Sequence, residues 1–337
     1  MSITTITLSG SRYAIGTAQG RRIAGLRLPK LASGSGSFPD DCRAAVQRWH
    51  PAILDEYEGM LSASGLPDAE FASYYFGRTA PLAGGCTNLA VLPEVTSNGQ
   101  LIVGRNYDWA YVDRRWCEAR YVSPSGEHRR VGYTHHWGGL CDGMNEAGLT
   151  ICIASLPSAG ESLPGIQWHI VVDMVLTQCD SVAAAVKLLT SIPHVRSIAY
   201  LVADESNAAI VEASSSRIRI RRPHAGILVG TNHWTTEGPS SGPRGAASVA
   251  RRKQALALLT TASPSHSLDT VRSVLSDHHG GICAGDHPGE CENRAQQGKS
   301  GTIWSLIARP EMKSLFVAPG HPCITPYETL PLTPHHT

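Results

Sequence analysis

The chain changes texture at one point, and that point limits what it can fold into. Up to residue 83 the apolar side chains recur mostly at helical spacing, whereas from residue 86 they fall into short, β-branched runs separated by turn residues. The seam reads Gly84-Gly85-Cys86-Thr87-Asn88, and one hairpin later comes Gly104-Arg105-Asn106-Tyr107-Asp108-Trp109. Two glycines give the backbone ahead of Cys86 conformations closed to other residues. A helical segment joined through such a seam to blocks of strands and helices predicts helices layered on largely antiparallel sheets, an α+β architecture.

Residues 12–26 read as a first helix, in which Gly16 and Gly20 allow close packing. Asp40 or Asp41 caps a second helix, bent at Pro51, and Pro67 or Asp68 begins a third that runs to Tyr75. In the strand block, Asn98-Gly99 is a hairpin signal between strands at 87–93 and 100–106. That hairpin returns Arg105 and Asp108 to the side of the strand that starts at Cys86. Residues 148–153 read as a strand entered through a turn at 143–148. Helices follow at 167–179 and 181–190, the second capped by Asp180. Strands are expected at 197–203, 208–213, 217–222 and 227–231, helices at 246–260 and 268–275, and strands at 302–308 and 314–318.

Composition matters here for what it excludes. A net charge of +1 on 337 residues gives no basic footprint for nucleic acid or an anionic membrane surface. No run reaches the roughly 18 apolar residues of a membrane span, and the first residues carry no basic region followed by an apolar core. The nine cysteines are odd in number and scattered, which fits free thiols in a reducing cytoplasm.

Cysteine is a strong nucleophile once deprotonated. Were the Gly85–Cys86 bond cut, the new α-amine of Cys86, with a reference pKa of about 7.7–8.0, would be a base next to the thiol. Arg105 can favour the thiolate, and Asp108 can hold the ammonium. The plain alternative is a small buried thiol after a flexible linker, with Arg105 and Asp108 as a surface ion pair.

The motifs taken in order resemble a known family. Gly85-Cys86-Thr87, Gly104 to Trp109, Gly143-Met144-Asn145-Glu146-Ala147-Gly148-Leu149, Thr231-Asn232-His233, Ser248-Val249-Ala250-Arg251, the stretch from Ser276-Asp277-His278 to Ile282-Cys283, and Gly320-His321-Pro322-Cys323 resemble the N-terminal-nucleophile hydrolases. Within them the chain is most similar to the acyl-CoA:6-aminopenicillanate acyltransferase-like group, with bile-salt and penicillin V amidases as more distant relatives. The resemblance implies a four-layer αββα sandwich and self-cleavage before Cys86. Residues 1–85 would be a helical pro-segment and 86–337 the catalytic domain, the two fragments staying associated. It implies Cys86 as nucleophile with its own α-amine as base, Arg105 and Asp108 in support, Asn232 as an oxyanion donor, and Arg251 near the pocket. Arg105 is closer to the amidases than to the penicillin acyltransferase branch, which has another residue there. Ser155 stands where amidase relatives carry an Asn that donates to the oxyanion.

Three further readings arise. Asn145 and Glu146 can be read as catalytic polar residues, Asn145 at the oxyanion or pocket, with a tight turn feeding the strand at 149–153 as the weightier reading. Trp109 adjoins the chemistry and can shape an acyl pocket, with core packing as the bland reading. Cys283, His287 and Cys291, with His278 and His279, invite a zinc site. Their C-x3-H-x3-C spacing lacks the C-x2-C pairs of structural sites, so no metal and no cofactor are expected. The function expected is a self-processing, cysteine-type amidohydrolase that passes the acyl group of a small N-acyl compound from Cys86 to water. One alternative is an N-acyltransferase that takes the acyl group from acyl-CoA to an amine. The other is a binding protein on the same scaffold.

Overall fold

The computed structural model describes residues 3–28, 36–78, 84–158, 162–235, 243–261, 265–285 and 300–332. Its N-terminal part begins with a strand, β1 (Thr5–Gly10), and continues as α1 (Arg12–Ile23), α2 (Phe38–Trp49), α3 (Ala52–Ser64) and α4 (Asp68–Tyr75). The strand block then runs through β2 (Gly85–Val91), β3 (Ile102–Ala110), β4 (Glu118–Pro124), β5 (Arg130–Thr134), β6 (Asp142–Asn145) and β7 (Thr150–Ser155). Helices α5 (Trp168–Gln178) and α6 (Val182–Ser191) precede β8 (Ile198–Ala203), β9 (Ala208–Ala213), β10 (Ile218–Arg221) and β11 (Ile227–Gly230). The remainder is α7 (Pro243–Thr261), α8 (Leu268–Leu275), β12 (Ser300–Arg309), β13 (Ser314–Ala318) and β14 (Glu328–Pro331).

The strands form two sheets, one of eight in the order β1-β4-β5-β6-β7-β8-β9-β10 and one of six in the order β11-β2-β3-β12-β13-β14. Every pairing is antiparallel except that of β1 with β4. The sheets meet face to face where β2 lies over β7 and β8. Helices α5 and α6 cover the outer face of the eight-stranded sheet, and α7 and α8 cover that of the six-stranded sheet. The order of layers is therefore αββα, as expected. Strands buried on both faces explain why so many of them read as near-continuous apolar runs, such as Ile-Ala-Tyr-Leu-Val-Ala in β8.

Several local expectations shift. Residues 1–85 are not helical throughout, because β1 adds an edge strand to the larger sheet. Pro51 starts a separate helix instead of bending one, which suits a residue without an N–H at a helix entrance. Ser181, not Asp180, caps α6, its Oγ accepting from the Ala184 N–H. Of the turn expected at 143–148, residues 143–145 belong to the strand β6 and the chain turns at 146–147. His287 and Cys291 lie outside the described residues.

Small residues decide the contact between α1 and α3. A Cβ on Gly16 would sit 1.9 Å from the Glu56 carbonyl oxygen, and one on Gly59 would sit 2.2 Å from that of Tyr13, so the helices touch backbone to backbone. That approach delivers Arg12 into a buried charge cluster. Its guanidinium donates to Glu56 (2.7 Å), Asp173 (2.8 Å) and both oxygens of Glu127. Asp173 also accepts from Arg130 and pairs with His50 at 2.8 Å. Burial alone would lift the Asp173 pKa, but Arg12, Arg130 and His50 hold it well below the usual carboxylate range. Its stabilising effect is present above about pH 4 and is lost as pH falls below that value.

Arg12 and Glu56 lie before Gly85, and Glu127 and Asp173 after it, so the cluster fastens the two parts of the chain across the seam. Arg12→Ala leaves buried carboxylates uncompensated and should cost about 3–5 kcal/mol, read as a lowered urea midpoint. An unchanged midpoint would show that the cluster does not hold the parts together.

Candidate active site

The expected pairing that brings Arg105 and Asp108 back beside Cys86 forms, through a ten-residue connection, 92–101, that holds a short 3-10 helix at Pro93–Val95. Gly85 pairs with Asp108, Cys86 with Tyr107 and Asn88 with Arg105. Side chains alternate along a strand, so this register sorts the residues onto two faces. Cys86, Asn88, Arg105 and Tyr107 share the face toward the other sheet, while Asp108 and Asn106 share the face toward α8.

On the inner face Arg105 is fully buried and spans the gap between the sheets. Its Nε donates to Asp142 of β6 at 2.5 Å, and its Nη1 donates to Asn88 Oδ1 at 2.7 Å and to the Ile153 carbonyl. The Tyr107 ring lies 4.7 Å from the guanidinium and stacks on Trp304 at 3.9 Å between centroids. Burial is the largest influence and works against the Arg105 charge, but Asp142 together with Cys86, Cys152 and Tyr107 outweighs it and keeps the group protonated. Asp142 was missed in the sequence. Its Oδ2 also accepts from Trp304 Nε1, and its Oδ1 from the Ile153 N–H. The available signal was an acid inside the apolar run Leu140-Cys141-Asp142-Gly143-Met144.

Cys86 is 3% exposed. Burial raises its thiol pKa, with Arg105 and Arg251 pulling the other way and Asp108 and Asp142 adding to the rise. The expected activation by Arg105 is present as a direction, but burial is larger, and the resting group is a neutral thiol.

Asn232 ties the site together. Its Oδ1 accepts from the Cys86 N–H at 2.6 Å and from Arg251 Nη2 at 2.6 Å. Its Nδ2 donates to the Ser155 carbonyl at 2.9 Å and to Ser155 Oγ at 3.2 Å. Ser248 Oγ fixes the Asn232 backbone N–H at 2.8 Å. Ser248 and Arg251 sit three apart on α7, which puts both on the helix face that meets Asn232.

On the outer face, Asp108 is buried and its Oδ1 accepts from Thr302 Oγ1 at 2.7 Å. Its Oδ2 has no hydrogen-bond partner among the described residues and lies 2.7 Å from where a Cβ on Gly85 would be. Burial raises the Asp108 pKa, opposed by Arg251, Thr302 and Arg105. A Cβ on Gly84 would strike the Asp108 carbonyl and the Trp109 ring, each at 2.5 Å. The two glycines are therefore needed for close approach to β3.

Cys86, Gly85, Arg105, Asp108, Asn232, Arg251 and Ser155 thus come together. Trp109 borders them, half-buried, with its Nε1 donating to Asp113 at 2.7 Å. Asn145 stands apart. Its Nδ2 donates to the Leu176 and Cys179 carbonyls, and its Oδ1 accepts from the Ala147 and Leu149 N–H groups. It locks the turn into β7 against the end of α5.

Residues 95–322 match the family Acyl-coenzyme A:6-aminopenicillanic acid acyl-transferase. The chain belongs to that family. The matched residues include Arg105, Asp108, Asn232 and Arg251 but begin after the Gly85–Cys86 bond. No curated protein matches the chain. Among solved structures it is similar to the N-acylethanolamine-hydrolyzing acid amidase ortholog of Caenorhabditis elegans, at 16% identity and a TM-score of 0.50 over 67% of this chain and 93% of that one. It is also similar to a variant of the conjugated bile acid hydrolase from Clostridium perfringens (12% identity, TM-score 0.49, 75% of this chain and 100% of that one). A penicillin V acylase from Agrobacterium tumefaciens gives 18% identity and a TM-score of 0.43 over 71% of this chain and 84% of that one. The first of these supports the two-sheet sandwich fold of this family member. Among the described residues no helix is long and apolar enough to cross a membrane.

Gly85→Ala should force its new Cβ against the Asp108 carboxylate and cost on the order of 1–3 kcal/mol. In a double-mutant cycle, the added loss should shrink when Asp108 is already Ala. Equal losses in both backgrounds, measured by urea unfolding, would show that the carboxylate does not press on Gly85.

Proposed function

We propose that the chain cuts itself before Cys86 and then acts as an amidohydrolase on a small N-acyl compound through an acyl-Cys86 thioester. The observation that carries this reading is the 2.6 Å hydrogen bond from the Cys86 nitrogen to Asn232 Oδ1, with the thiol on the same residue buried beside Arg105. Attack of Cys86 Sγ on the Gly85 carbonyl carbon forms the thioester and breaks the Gly85–Cys86 C–N bond. The thiol proton passes to the departing nitrogen. Water then cleaves the thioester, releasing the Gly85 carboxyl and freeing the thiol and amine of Cys86.

The products are residues 1–85 and 86–337. In the cut form Asn232 Oδ1 still accepts one N–H of the new amine, which leaves the amine lone pair to take the thiol proton in each turnover. Asp108, lying over Gly85, is placed to balance the ammonium that forms. Arg251, which shares the Asn232 oxygen, supplies positive charge where the tetrahedral oxyanion develops. Ser155 holds the Asn232 amide and so sets the direction of its oxygen; this is how the chain does without an Asn at position 155. The two fragments stay together because the Arg12 cluster spans them.

A second reading, transfer of the acyl group to an amine from a CoA thioester, is favoured by the family description alone. Both readings share the acyl-enzyme. Product partition between acid and amide at rising amine concentration separates them.

Purified protein should show two bands on a denaturing gel, with the larger beginning at Cys86. Cys86→Ala should remain one uncut chain without activity. An uncut wild-type chain that hydrolyses amides would rule out the amine as base. The pH dependence has a definite sign. Burial places the thiol pKa above its ordinary value of about 8.5, so the thiolate fraction keeps growing from pH 6 to 9. Self-cleavage of freshly isolated precursor should accelerate across that range, and a flat rate would contradict a neutral resting thiol.

A further inference from the structure

Behind Asp108, on the α8 side of the six-stranded sheet, two turns from distant parts of the chain bring two thiols and two imidazoles together. We propose that His278, Cys283, His321 and Cys323 form a structural zinc site of the Cys2His2 type. The proposal does not depend on Cys86 being the nucleophile.

Distances between donors support it. Donor atoms of His278, Cys283 and Cys323 all lie within 4.8 Å of one another. The two sulfurs are 3.7 Å apart, and Cys283 Sγ is 3.9 Å from His321 Nδ1. Two thiolates bound tetrahedrally at about 2.3 Å from zinc are separated by about 3.8 Å. The sulfurs thus already stand at the edge length of a zinc tetrahedron, and the His321 ring, 3.9 Å from one of them, would move inward to complete it. Both cysteines are free thiols.

The backbone holds the donors in place. The Cys283 N–H donates to the Asp277 carbonyl at 2.9 Å, and the Gly281 N–H to that of His278 at 3.0 Å. Asn106 Nδ2 clamps the same loop by donating to the Leu275 and Ile282 carbonyls at 2.8 and 2.9 Å. In the second turn, the Thr325 N–H donates to the His321 carbonyl at 2.9 Å. Each turn supplies one His and one Cys, and the metal would join the turns.

His321 adds a sign of orientation. Its Nδ1 faces Cys283, while its Nε2 lies 3.3 Å from Tyr111 Oη. A ligating imidazole needs such a partner on its other nitrogen to fix tautomer and ring direction. Four protein donors complete a tetrahedron and leave no open position, the pattern of a structural rather than a catalytic zinc. The spacing argument against zinc took the Cys283-to-Cys291 loop alone. It could not see that the remaining two donors come from Gly320-His321-Pro322-Cys323.

The consequence reaches the active site through two hydrogen-bonded steps. Ala284, next to Cys283, donates its N–H to Thr302 Oγ1 at 2.9 Å, and its carbonyl accepts from the Thr302 N–H at 2.7 Å. Thr302 Oγ1 in turn donates to Asp108 Oδ1 at 2.7 Å. A metal that fixes Cys283 therefore braces the wall against which Asp108 is held.

The test is metal binding by the full chain, prepared under reducing conditions. Emission spectrometry should find one zinc per chain after dialysis against metal-free buffer. Replacement by Co2+ should give thiolate-to-cobalt charge transfer in the near ultraviolet and the intense visible bands of a tetrahedral site. Cys283→Ser and Cys323→Ser should each lose the charge-transfer intensity and the stoichiometric zinc. His279→Ala should keep both. Tyr111→Phe should weaken cobalt binding by roughly 10-fold. Natively folded wild type that takes up neither metal would overturn the proposal, as would metal binding that survives both Cys→Ser changes. A Cys283–Cys323 disulfide in freshly purified protein would overturn it too.

Discussion

One fully buried ion pair holds the two sheets in the relation on which everything else depends. Arg105 comes from β3 in the six-stranded sheet and Asp142 from β6 in the eight-stranded one, and both are wholly out of solvent. Taking two charges out of water is costly, and such a pair is tolerated only when the remaining donors and acceptors are satisfied. Here Asn88, Ile153 and Trp304 supply most of those bonds, drawing on strands from both sheets. An apolar pair of similar volume could fill the same gap with less desolvation. What it could not do is place a positive charge next to the thiol of Cys86 in a water-poor space.

The second constraint is the alternation of side chains along β2 and β3. It puts the thiol and Arg105 on the inner face and Asp108 on the outer face, with the Gly85–Cys86 peptide between them. The glycines follow from this arrangement, because a side chain at either position would meet β3. Asn232 then bridges the end of β11, the start of β2 and the end of β7 with one amide group. Most neighbours of the peptide are thus set by a backbone register or by a bond to the backbone, the condition for a site held to a fraction of an ångström, and Arg251 is held through the Asn232 side chain.

Much of this was legible in the sequence because it is local. The Asn98-Gly99 turn, with Gly99 at a positive φ of 68°, marks where the chain turns back to lay β3 beside β2. Helical periodicity found α1, α4, α7 and α8, and short β-branched runs found most strands. The misses are non-local or context-driven. Strand β1 has no pattern that distinguishes an edge strand from a loop until β4 lies beside it. Asp142 is one acid in an apolar run until Arg105 reaches it from the other sheet. Thr302 is one more strand residue until Asp108 is placed over it. The His278–Cys283 and His321–Cys323 pairs are each too sparse to signal a metal; only the fold adds them together.

The central claim is that Cys86 carries the acyl group. Rapid acid quench of the enzyme during turnover of a panel of small N-acyl compounds, followed by peptide mass spectrometry, tests it directly. The account predicts an added mass equal to the acyl group on the peptide that begins at Cys86, absent from the Cys86→Ala chain. Turnover with no adduct on that peptide, or with the adduct on another residue, would contradict it.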